Sequence, residues 1–95
     1  MAAQDSETYP FTFEAVREKA PIASGVYRLC TAQRWVHVGE SDNIRQSLFR
    51  HLNEPSASMN RFGPLSFSFE VSPPAERKAL QHALITELEP ACPLE

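Results

Sequence analysis

The sequence predicts an α+β fold, a three-stranded antiparallel sheet flanked by helices, and three observations predict it. Two short runs rich in β-branched and aromatic residues, GVYRLC (25–30) and RWVHVG (34–39), lie only a few residues apart, as the arms of a hairpin do. A third run, PLSFSFEVS, alternates Leu65, Phe67, Phe69 and Val71 with Ser66, Ser68, Glu70 and Ser72, the pattern of a strand with one buried and one polar face. Around these runs the apolar spacing changes to the period of a helix. A length of 95 residues suits one domain with a single core.

Residues 1–10 are polar, end in Pro10 and read as a flexible N-terminal arm, with 11–93 as the domain. Leu94-Glu95 reads as a vector remnant. Phe11 to Ala20 predicts a short helix with Phe13, Val16 and Phe11 on its inner side, closed by Pro21. Ser24-Gly25 turns the chain into the hairpin. A turn centred on Ala32 would set Tyr27 opposite His37 and Leu29 opposite Trp35. Ser41 or Asp42 is expected to cap the next helix, whose stripe is Ile44, Leu48 and Leu52 and whose end precedes Pro55. A serine-rich loop then runs to about Gly63. Pro73-Pro74 open the last helix, with Ala79, Leu80, Ala83, Leu84 and Leu88 inside and Pro90 at its end.

Composition narrows the function. With 42% hydrophobic and 22% charged residues the chain is not of the disordered class. Nine Lys/Arg against twelve Asp/Glu give a formal charge of -3, which disfavours a protein whose task is to coat nucleic acid. The stretch from Tyr27 to Arg61 is nevertheless net +2, and its basic residues are all arginine: Arg28, Arg34, Arg45, Arg50 and Arg61. Arginine is the side chain best shaped to grip phosphate, although scattered surface arginines give the same count. Cys30 and Cys92 are too few for a disulfide scaffold and fit a reducing compartment. The opening MAAQDSETYP has no basic and apolar leader, and no run approaches the roughly 20 apolar residues of a membrane span. The expectation is a cytoplasmic domain with no membrane partner.

Polar residues on otherwise apolar helix faces mark the candidate site. On a wheel of about 100° per residue, Arg77 and Gln81 fall inside the arc of Leu80, Leu84 and Leu88, while His82 faces solvent. On the 44–53 helix, Ser47 and His51 flank the apolar stripe. Tyr27, His37, Ser47, His51 and Gln81 are therefore candidates to converge. A snorkelling Arg77 and a satisfied core amide at Gln81 are the structural alternative. The histidines lack the close i, i+4 spacing that metal sites favour, so no metal site is read from them. Ser47 or Cys30 paired with a histidine would be a nucleophile, but no nucleophile elbow or phosphate loop is present in the sequence. His37 has suitable chemistry for a general base.

Gly25-Val26-Tyr27, then Val36-His37-Val38-Gly39 followed by a capped helix, resembles the two half-motifs of the GIY-YIG nuclease domain. SDNIRQSLFRHL is similar to that family's first helix and ALQHALITELEP to a later one, so the resemblance spans about 21–90. It implies that Tyr27 matches the active-site tyrosine of the first half, and that His37 stands where the second half has its proton-transferring tyrosine. His51 matches a tyrosine or histidine on the helix. Other positions depart from the pattern: Glu40 replaces a basic residue, Ser47 the arginine that steadies the scissile phosphate, Gln81 the glutamate that holds the single divalent metal, and Pro93 an asparagine.

Phosphodiester cleavage needs positive charge to meet the charge developing on phosphate, and an amide in place of a carboxylate anchors a hard cation poorly. The expected function is thus a binding or interaction module without metal-dependent cleavage, with Tyr27, His37 and His51 at inherited catalytic positions and Ser47, Gln81, Arg45 and Arg77 as ligand-binding residues. No cofactor is expected. The acidic charge favours a protein or a small ligand as partner, while the arginine-bearing 44–53 helix leaves nucleic acid open. The alternative is an active nuclease or phosphodiesterase with a rebuilt site, using Mg²⁺, in which Arg45 or Arg77 contacts phosphate.

Overall fold

The structure, a computed structural model, describes residues 8–32, 34–53 and 64–88. Its elements are β1 (Tyr9–Pro10), α1 (Phe13–Lys19), β2 (Gly25–Cys30), β3 (Trp35–Ser41), α2 (Ile44–Asn53), β4 (Ser66–Val71) and α3 (Pro74–Leu88). The strands form one sheet in the order β1-β4-β2-β3, and every neighbouring pair is antiparallel. The α+β class holds, but the sheet has four strands rather than three. The extra one is Tyr9–Pro10, at the end of the expected flexible arm, which pairs with Phe67 and Ser66 on the free edge of β4. The Tyr9 ring lies 5.5 Å from that of Phe67 and 6.3 Å from that of Phe69. An aromatic contact thus holds a strand too short to show periodicity.

Local chemistry fixes the helix ends. Thr12 caps α1 by accepting from the Ala15 N–H at 3.1 Å, and Ala20 leaves the helix with ψ at 132°, extended toward Pro21. The cap of α2 is Asn43, whose Oδ1 accepts from the Gln46 N–H at 3.1 Å, rather than Ser41 or Asp42. Ser41 is the last residue of β3, and its Oγ instead accepts the Asn43 N–H at 2.9 Å. The serine-rich loop, Pro90, Cys92 and the last two residues lie outside the described residues.

The hairpin register also differs from expectation. Thr31 N–H donates to the Arg34 carbonyl at 2.9 Å, moving the turn centre beyond Ala32. An irregularity next to Cys30 then adds a residue to β3: Cys30 pairs with Trp35, and Leu29 with His37. Tyr27 consequently faces Gly39, not His37. A Cβ at Gly39 would collide with the Tyr27 ring, so the glycine lets that ring lie across the neighbouring strand.

The sheet is covered on both sides. Val16, Ala20, Tyr27, Leu29, Val36, Ile44, Leu48 and Phe67 form one core with α1 and α2. Val26, Val38 and Leu84 form a smaller one under α3, flanked by Leu80, Ile85 and Leu88. Each fully buried aliphatic side chain contributes about 1.5–3 kcal/mol. Ala79 and Ala83 are exposed, because the face of α3 turned to the sheet is that of Leu80, Leu84, Ile85 and Leu88. Val71 is 59% exposed near the end of β4, whereas Ser68 is buried in its middle. β4 lies between β1 and β2 in the sheet, and with Ser68 buried and Ser66 half-buried its serines do not form a solvent face. Phe13 is 51% exposed and stacks on Phe49 of α2 instead of entering the core. His82 is exposed as expected.

Candidate functional site

The structure brings Tyr27, His37 and His51 together. β2 carries Tyr27, β3 carries His37 and the last turn of α2 carries His51. The Tyr27 hydroxyl and His51 Nε2 share a hydrogen bond of 2.9 Å. The ring centroids are 5.9 Å apart for Tyr27 and His37, 5.6 Å for Tyr27 and His51, and 5.3 Å for His37 and His51. Tyr27 is 5% and His37 3% exposed, and His51 is half-buried. Burial pushes the Tyr27 hydroxyl up to about 12, with Arg50 pulling it down and Glu40 adding to the rise. Tyr27 is therefore a neutral phenol at physiological pH.

Beside this cluster opens a polar cleft of about 520 Å³, lined by the end of β3 (Glu40, Ser41), Asp42, one face of α2 (Gln46, Ser47, Phe49, Arg50, Asn53) and Arg77 of α3. Ser47 is 5% exposed and its hydroxyl donates to Ser41 Oγ at 2.6 Å. Arg77 spans from α3 to the end of β3, with Nε 2.5 Å from Glu40 Oε1 and Nη1 donating to Ser24 Oγ at 3.2 Å. Gln81 is half-buried and its Nε2 donates to the Val38 carbonyl at 3.2 Å. Both polar residues in the α3 stripe are thus partnered by β3 and the cleft's edge.

Arg45 is not part of the site. Its Nε donates to the Ala20 carbonyl at 2.9 Å, tying α2 to the end of α1. Arg28 is unsuited to phosphate as well: it is 1% exposed, donates to the Phe69 carbonyl at 3.4 Å and lies 5.9 Å from the Trp35 ring. Burial pulls it below the ordinary guanidinium range, with Glu70 opposing. Cys30 is buried and free, and burial raises its thiol, which removes it as a nucleophile. Arg50, one of the five arginines of the basic stretch but not one of the expected ligand-binding residues, lines the cleft. The helical wheel held the signal: Arg50 lies about 60° from Ser47, whereas Arg45 lies about 160° away.

This arrangement of a four-stranded antiparallel sheet packed between helices is that of the GIY-YIG nuclease fold. Three solved structures of the GIY-YIG N-terminal endonuclease domain of UvrC from Thermotoga maritima are similar to the chain. The form bound to magnesium has a TM-score of 0.69 at 24% identity, covering 82% of this chain and 94% of that one. A point mutant bound to its catalytic divalent cation gives 0.69 and 24%, covering 82% and 93%. A second such mutant gives 0.68 and 23% over the same shares. No protein-family model matches the sequence, and neither does any curated protein. No described helix is long and apolar enough to cross a membrane.

Proposed function

We propose that this chain uses the GIY-YIG fold as a binding or interaction module and has lost metal-dependent phosphodiester cleavage. One observation carries the reading: at the position matching the metal-holding glutamate, Gln81 is uncharged and spends its Nε2 on the Val38 carbonyl. Magnesium prefers charged oxygen ligands, and the nearby carboxylates do not replace the missing one. Glu40 is paired with Arg77, and Asp42 is exposed at the rim. The residues present do not fit the cation.

The phosphate-steadying position argues the same way, since Ser47 offers only a hydroxyl already donated to Ser41. Tyr27 and His37 are 5% and 3% exposed, which leaves little of either side chain to meet a substrate. The occupant of the cleft is then a protein segment or a small ligand rather than a long nucleic acid. A cytoplasmic setting is supported by the buried free thiol of Cys30.

The second reading, a nuclease or phosphodiesterase with a rebuilt site, is favoured by the Tyr27–His51 hydrogen bond, a pairing able to move protons. The two readings separate when the purified chain is incubated with single- and double-stranded DNA and RNA in Mg²⁺ or Mn²⁺. No cleavage above a protein-free control is expected. Cleavage that disappears in Tyr27→Phe would overturn the non-catalytic reading.

A further inference from the structure

The charged groups around the cleft are unevenly satisfied. Arg77 is paired with Glu40, and Arg45 is bonded to the Ala20 carbonyl outside the cleft. Arg50 is exposed, lines the cleft and has no hydrogen bond or ion pair to any described residue. It is also close enough to influence the ionisation of buried Tyr27. Gln46 and Asn53 place amide donors and acceptors along the same helix face, and Phe49, stacked on Phe13 with centroids 5.9 Å apart, supplies an aromatic wall.

We propose that this cleft binds a small phosphate-bearing ligand of mononucleotide size, with Arg50 gripping the phosphate. The proposal rests on the binding-module reading and gives its cleft a ligand class. Guanidinium presents a planar fork of N–H groups that matches phosphate oxygens. Neighbouring amides provide further donors, as well as acceptors for the polar body of the ligand. An aromatic wall suits a base or another flat ring. The cavity of about 520 Å³ falls within the usual range of small-molecule sites. A polyanion is disfavoured by Glu40 and Asp42 on the lining and by the formal charge of -3.

The test is a metal-free NMR titration of the full chain with AMP, adenosine and inorganic phosphate. Expected are saturable AMP-induced shifts of the 46–53 amides and the Arg50 Nε–H, with adenosine and inorganic phosphate each binding more weakly. Arg50→Gln is expected to weaken AMP binding about tenfold or more, Arg50→Lys to retain part of it, and Arg17→Gln, an equal charge change on the exposed face of α1, to leave it unchanged. Retained folding of each variant is read from the same spectra. No saturable shift at millimolar AMP, equal loss in Arg17→Gln, unchanged binding in Arg50→Gln, or adenosine or inorganic phosphate binding as tightly as AMP would each overturn the proposal. Failure here leaves the nuclease test untouched. Conversely, cleavage with magnesium in that test would end the non-catalytic reading while leaving Arg50's role to stand on the AMP data.

Discussion

The Tyr27 hydroxyl lies 2.9 Å from His51 Nε2, joining the central strand β2 to the last turn of α2 across 24 residues of chain. This bond is part of the packing between sheet and helix, because the ring that carries it belongs to the larger core. Tyr27→Phe keeps the ring and removes the hydroxyl, leaving His51 to find another partner. The expected loss is about 0.5–1.5 kcal/mol in urea-induced unfolding, with AMP affinity unchanged.

Ionisation of the same phenol contributes to the loss of stability at alkaline pH. Tyr27 is raised from 10.0 to about 12 in the native chain, principally by burial. Above pH 10 the unfolded chain releases a proton that the native one holds, so this contribution to stability is complete below pH 10 and declines as pH rises toward 12. The decline reaches up to about 3 kcal/mol. Unfolding measured at intervals from pH 9 to pH 12 is expected to show it in the wild type, and Tyr27→Phe is expected to remove this component.

Gly39→Ala places a methyl group against the Tyr27 ring. The ring is held between strand and helix, so overpacking is expected to cost about 1–3 kcal/mol. The cost should shrink in a Tyr27→Leu background, because the clash is with the ring itself. Equal costs in both backgrounds would locate the strain elsewhere.

Glu40 and Arg77 tie β3 to α3 through side chains that are each 21% exposed. A double-mutant cycle of Glu40→Gln and Arg77→Gln, read by thermal unfolding, is expected to give a coupling of about 1 kcal/mol that weakens with added salt.

Much of the fold is legible in the sequence because periodicity carries it: the alternation around Phe67 and the four-residue spacing of Ile44, Leu48 and Leu52 each identify an element. Tyr9–Pro10 escapes because two residues have no period, and its pairing depends on an aromatic contact with distant Phe67. The register of Tyr27 escapes because an irregular hairpin moves its partner from His37 to Gly39. The meeting of Tyr27, His37 and His51 is nevertheless foreseeable from the strand and helix faces. The exclusion of Arg45 and inclusion of Arg50 follow from the wheel once Ser47 is taken as the reference. The partnership of Arg77 with Glu40 does not, since it depends on where α3 crosses the end of β3.

The central claim, that the position of the metal-holding glutamate no longer holds a divalent ion, is tested most directly by adding Mn²⁺ to ¹⁵N-labelled protein and following paramagnetic line broadening. No saturable, localised broadening is expected in the wild type. Selective broadening of Val38, Gln81 and Tyr27 at near-stoichiometric Mn²⁺, reversed by magnesium, would contradict it.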